Sequence, residues 1–184
     1  GKVDFDWIPK ANQLVKFGAG VTQHEFANGI LGLSYEDNDE SLDTTIGPIP
    51  INATEMYAYI EDDIKVTKKL KLNLGAHLSG FYVREKFFPS IQPRISSRYL
   101  LKNDWALKGS YSQMRQFIHL LTNERAGLPT DLWVPATDRA KPEDSWQVAL
   151  GVTKPIKIKS NNLEVSLEAY YKEMNNVISY KEGA

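Results

Sequence analysis

The chain of 184 residues contains no cysteine. That excludes disulfide staples, thiol nucleophiles and thiolate-held metals, and it says little about compartment, because exported and cytosolic proteins alike can do without the residue. Excess charge is also missing. Its 22 basic side chains face 23 acidic ones, so there is neither the basic footprint of a nucleic-acid binder nor polybasic attraction to anionic lipid. No apolar run reaches the roughly 18 residues that a transmembrane helix requires. A membrane β-barrel escapes that test, because its strands are apolar only at every second residue. The three histidines, His24, His77 and His119, stand far apart, and no metalloprotease, nucleophile-elbow or phosphate-cradling motif is present. No enzymatic activity, resident metal or cofactor is therefore expected. The enzyme alternative, an acid and base brought from separate strands, would draw on His119 and Asp131. No signal peptide precedes Gly1, and an internal or mature piece of a longer chain is the expectation.

What the sequence does have is alternation. In WALKGSYSQM, Trp105, Leu107, Gly109 and Tyr111 fall on one side and Ala106, Lys108, Ser110 and Ser112 on the other, a period of two that marks a strand. In WQVALGVT, Trp146, Val148, Leu150 and Val152 alternate with Gln147, Ala149, Gly151 and Thr153. Between these arms lies a long connection over 122–145, whose prolines exclude a central strand. A hairpin tip of that length is either functional or disordered. Its stiff backbone and aromatic content favour function, and the expected ligand-binding residues are Arg115, His119, Asp131 and Trp133. A tryptophan beside a carboxylate suits stacking on a sugar ring and bonding its hydroxyls.

The same period runs along most of the chain. Val3, Phe5 and Trp7 oppose Lys2, Asp4 and Asp6, and Val15, Phe17, Ala19 and Val21 oppose a small or polar face containing Gly18, Gly20 and His24. Residues 54–68 place Met56, Ala58, Ile60 and Ile64 against Tyr57, Tyr59, Glu61 and Asp63. Met56, Ile60 and Ile64 would also fit a helix, but the neighbouring pattern favours a strand, with Asp62 interrupting its apolar face. Leu70 to Tyr82 give the clearest alternation, Arg94, Ser96 and Arg98 continue it, and Leu163 to Lys172 end it. Residues 26–53 show no clean period and read as a loop. Its Asp37, Asp39, Ser41 and Asp43 supply oxygen ligands of the kind calcium prefers, although Leu42 stands where an EF-hand needs glycine; a solvated acidic loop is the simpler account.

These segments amount to an all-β, antiparallel up-and-down meander of about eight strands. Tight turns are expected at 9–12, 68–70, 102–104 and 158–162, and wide connections at 26–53, 84–90 and 122–145. Alternation of short and long ends is how outer-membrane barrels are built. Trp7 and Trp105 beside the short turns, with Tyr82, Phe87, Phe88 and Phe117 toward the long ones, would form two interfacial girdles. In this register Arg94, Arg98, Lys108 and Glu168 face the lumen, pairing with one another or with the carboxylates of a plug, or steering an anionic solute.

RISSRYLL, WALKGSYSQMRQFIHLL, AGLPTDLWVPATDRAKPEDSWQVALGV and LEVSLEAYYKEMNNVISYKEGA resemble the barrel portion of TonB-dependent outer-membrane receptors of the Bacteroides type. AYIEDDIKVTKKLKLNLGAHLS is similar to that family's YxxDxxKLxxxLxLxxGxR hairpin, with His77 where the pattern often has arginine. The resemblance implies a plugged barrel of about 22 strands. It also implies energised uptake of a nutrient such as a glycan or siderophore, and as partners the nutrient ligand, a plug domain, TonB and outer-membrane lipid. The plug, the coupling box and the closing terminal aromatic are absent, so residues 1–184 are expected to be one partial barrel domain, not transport-competent alone. Such a piece could close, curl as an open sheet, or pair edges with another copy. The rival expectation is a free-standing soluble β-barrel or sandwich that binds a ligand; burial of Val148, Leu150, Leu167 and Ala169 in a closed core would favour it.

Overall fold

The computed structural model of the chain describes residues 1–27, 31–37, 40–46, 50–121, 132–158 and 161–178. Eight long strands form one antiparallel sheet: β1 (Lys2–Lys10), β2 (Gln13–Phe26), β5 (Ile51–Lys65), β6 (Leu70–Val83), β7 (Lys86–Leu100), β8 (Ala106–Gln116), β11 (Glu143–Ile158) and β12 (Asn161–Asn175). Each pairs with its neighbours in that order. Two shorter hairpins, β3 (Leu31–Asp37) with β4 (Glu40–Ile46) and β9 (Ile118–Leu121) with β10 (Leu132–Pro135), extend from one end of the sheet. The segments with a competing helical period, 54–67 and 163–172, are strands within β5 and β12. The sheet is not closed: among the described residues β1 and β12 each have a single neighbour.

Register turns the period of two into two unlike surfaces. One row of directly opposed residues runs Trp7, Val15, Asp62, Leu74, Ile95, Tyr111, Val148, Tyr171 across all eight strands. Its neighbours on the same face are equally apolar, and they are not covered: Leu150 is 62% exposed and Leu167 75%. A soluble sandwich or barrel would bury these side chains, at about 1.5–3 kcal/mol each, so the closed-core arrangement is not the one adopted. Along β6 the apolar row lasts from Leu70 to Tyr82, about 40 Å of strand, or about 30 Å along an axis tilted by about 40°. That is enough to span the roughly 25 Å apolar band of an outer-membrane barrel. Asp62 breaks the apolar face as the sequence indicated. Its Oδ2 accepts a 2.7 Å hydrogen bond from Gln13 Nε2 of the adjoining strand, which satisfies half of the carboxylate.

The other surface is polar and concave. Asp63 of β5 and Glu168 of β12 line one hollow although β6, β7, β8 and β11 lie between them, so the sheet curls strongly about this face. Close packing on it depends on glycine. A Cβ on Gly20 would sit 2.6 Å from the Tyr57 ring, and one on Gly18 2.8 Å from that of Tyr59. Both rings lie flat over bare backbone, and Tyr59 donates a 2.8 Å hydrogen bond to Asp4 of β1.

The two ends differ, with three corrections to the sequence reading. Residues 26–53 are not one loop, since β3 and β4 pair from Leu31↔Ile46 to Asp37↔Glu40. The alternation Leu31, Leu33, Tyr35 was present but short, and masked by the acidic residues that follow. The connection expected over 84–90 is a two-residue turn: Arg84 and Glu85 both have positive φ (47° and 63°), and β7 begins at Lys86. Residues 86–90 instead extend β7, with Pro89 opposite Gly80 inside the ladder, so strict alternation of short and long ends fails at this position. Thirdly, the aromatic girdle at this end is thinner than expected. Tyr82 and Phe87 are exposed on the apolar face, whereas Phe88 and Phe117 turn inward.

Phe117 belongs to a small core on the concave side, at the end carrying the longer connections. Phe26, Ala53, Phe81, Val83, Phe117 and Ala136 are buried together, with Ile51, Phe88 and Ile118 against them. Phe81 and Phe117 stack at 5.3 Å with planes 5° apart. The Ala136 N–H donates to the Phe117 carbonyl at 2.7 Å, which continues the β9–β10 ladder to its base. The hairpin is thereby folded inward over the wall formed by β2, β5 and β6.

Candidate functional site

Beneath this inward hairpin the concave face holds a hollow of about 1230 Å³. Period-two alternation places its polar lining: His24 from β2, Glu55 from β5, Gln92 and Arg94 from β7, Lys172 from β12, with Trp133 of β10 at its border. His24 Nε2 lies 3.1 Å from Glu55 Oε2, and its ring is 6.1 Å from those of Phe26 and Phe81. Gln92 Nε2 donates to Ser79 Oγ at 2.9 Å, both residues buried. The surface therefore combines an aromatic wall with hydrogen-bonding groups of both signs, a combination suited to holding a ligand. Among the described residues that line it, no nucleophile is paired with a base. Among the described residues no cluster of three or more histidine, aspartate or glutamate side chains is arranged to hold a metal.

Of the expected ligand-binding residues that are described, Arg115 and Trp133 line this hollow and His119 does not. Trp133 is half-exposed and borders the hollow. Arg115 also borders it, but its guanidinium is committed elsewhere, donating to both Asp144 carboxylate oxygens at 2.6 and 2.9 Å and to the Pro89 carbonyl at 2.6 Å. It lies in the outward register of β8, opposite Asp144, as a fork-shaped clamp across β7, β8 and β11 at their upper ends. His119 is 3% exposed within β9, and its Nε2 has no hydrogen-bond partner; it is a core group of the hairpin. Asp131 lies outside the described residues, as do Asp39 and the side chains of Asp37, Ser41 and Asp43 in the acidic segment. The sequence reading missed His24, Glu55, Gln92 and Lys172. Each occupied a polar position of a recognised strand, but only the curl of the sheet brings four strands to one hollow.

Arg94, Arg98, Lys108 and Glu168 all stand on the concave face. Arg98, Lys108 and Glu168 share one cross-strand row, with Gly151 between the last two, and they line a second hollow of about 450 Å³ nearer the tight turns. Arg94 sits higher and lines the upper hollow. Pairing of the four with one another is not seen, since none of the ion pairs within 4.0 Å among the described residues involves any of them; pairing with the carboxylates of a plug is a matter outside this chain.

A family model described as "TonB dependent receptor-like, beta-barrel" matches residues 4–184. No curated protein and no solved structure matches the chain.

Proposed function

The chain belongs to the TonB dependent receptor-like β-barrel family, and from that premise we propose that it forms one wall of a receptor that takes up a nutrient across the outer membrane. The family is a transporter family of the outer membrane, not an enzymatic one. In this reading the apolar face meets lipid, the concave face lines the lumen, and the hollow under the β9–β10 hairpin receives the ligand. The nutrient is bulky and carries hydroxyls, as a glycan does, because the exposed Trp133 offers a flat contact beside Glu55, Gln92 and Arg94. A plug domain and TonB complete the system as partners. The motifs quoted above support the Bacteroides type of receptor.

One observation carries the proposal: a continuous eight-strand face of large apolar side chains that no described residue covers. Native cysteine is absent, so single-cysteine substitutions report cleanly. With the chain reconstituted in lipid vesicles, probes at Leu78→Cys, Leu150→Cys and Leu167→Cys are expected to be quenched by lipid-borne quenchers. Ser110→Cys and Ser166→Cys, on the concave face, are expected to react with a water-soluble maleimide. Equal aqueous reactivity of both sets would remove the membrane reading. Binding of oligosaccharides, weakened by Trp133→Ala, tests the ligand assignment separately.

A further inference from the structure

Four cations stand directly opposite one another on the concave face near the tight turns. Register pairs Lys65 with Lys71, Lys71 with Arg98, and Arg98 with Lys108. All four are exposed. With strands spaced about 4.8 Å apart, they form a straight line of charge about 14 Å long across β5, β6, β7 and β8. Like charges placed directly opposite destabilise a sheet, and none of the four has a carboxylate within ion-pairing distance among the described residues. Acids flank the line without joining it. Glu168 lies two strands beyond the far end, across Gly151, and Asp63 lies one pleat up, opposite Asn73. Glu168, Glu164 and Asp63 share the hollow with Lys71, Arg98 and Lys108, so the acidic side chains bound the cationic row.

We propose that Lys65, Lys71, Arg98 and Lys108 form a binding row for a linear polyanionic solute, such as a chain of phosphates, lying across the strands at the inner end of the lumen. A compact anion touches one or two of these charges, whereas an extended one touches all four and relieves the repulsion along the whole row. The carboxylates of Glu168 and Asp63 repel any anion that slides beyond it, which fixes its position. The row is separate from the hollow under the β9–β10 hairpin and would stand even if that hollow bound nothing.

The test is titration calorimetry of the full chain in detergent micelles, with tripolyphosphate and inorganic phosphate as probes. Tripolyphosphate is expected to bind at least about tenfold more tightly than phosphate, and more weakly as salt rises. Lys71→Gln and Arg98→Gln should each weaken it roughly fivefold, the weight of one charge pair at about 4 Å in water. Glu168→Gln should strengthen it. Lys16→Gln, which removes a cation from the same face on β2 outside the row, should leave it unchanged, with circular dichroism confirming that each variant keeps its strands. Equal losses in Lys16→Gln and Arg98→Gln, no preference for the longer anion, or no binding would each overturn the proposal.

Discussion

Replacing Phe81 by alanine should release the β9–β10 hairpin from the wall it rests on. Phe81 is fully buried, and its ring lies parallel to that of Phe117 at 5.3 Å. Removing a buried phenyl ring costs about 3–5 kcal/mol. Strand pairing of β6 with β5 and β7 is made by backbone and should survive, so the loss falls mainly on docking of the hairpin. Each 1.4 kcal/mol is a factor of ten, so the undocked population rises by between about 10² and 10⁴. Amide hydrogen exchange reads this directly: the Ala136 N–H is bonded to the Phe117 carbonyl at 2.7 Å, and its exchange tracks the open population when reclosing is fast. Exchange should accelerate at least about a hundredfold in Phe81→Ala, and not in Leu78→Ala, which removes an exposed side chain on the opposite face of the same strand. Phe117→Ala should act similarly, and the double variant should fall short of the sum by about 0.5–1.5 kcal/mol, the worth of an aromatic pair. Unchanged exchange in Phe81→Ala, or strict additivity in the double variant, would refute the picture of a hairpin held by this stack.

Three further outcomes follow from the same geometry. Leu150→Arg, on the exposed apolar face, should cost about 2–4 kcal/mol in lipid-vesicle unfolding, whereas Gln147→Arg on the concave face of the same strand should be nearly neutral. Gly20→Ala should lower the melting temperature through a clash that displaces the Tyr57 ring, at about 1–3 kcal/mol; Tyr57→Ala in the same chain should recover part of that loss. Arg115→Ala should destabilise the chain by about 1–2 kcal/mol, as its bidentate hold on Asp144 and its bond to the Pro89 carbonyl are lost. Arg115→Lys should recover only part, and oligosaccharide binding should be unaffected by either change.

Much of the fold could be read from period alone. Leu70 to Tyr82, Trp146 to Val152 and Leu163 to Tyr171 alternate so regularly that strand, face and neighbour follow together. Where the reading failed, a local signal outweighed the long-range one. Pro89 falls in the stretch read as a connection, yet a proline in an outward register position can sit in a paired strand when its missing donor falls where no bond is due. Arg84 and Glu85 carry no glycine or asparagine to announce a turn with two positive φ angles. The candidate site was less legible for a different reason. Trp133 stood out because it is large and flanked by prolines, but His24, Glu55 and Lys172 are separated by up to about 150 residues of chain, and only the curl of the sheet makes them neighbours. For Arg115 the residue type was informative and the role was not, since a guanidinium serves a carboxylate on its own sheet as readily as one on a ligand.

Strand β12 is exposed along all fifteen of its residues, and β1 is likewise bounded on one side only. In water such flanks are hydrated at little cost, but in hydrocarbon each orphaned amide or carbonyl costs several kcal/mol. Roughly half of the peptide groups in β12 point away from β11, so an unstitched seam there would outweigh the marginal stability of the whole wall. Within a bilayer this sheet would therefore be tolerable only with both seams paired, to each other or to further strands.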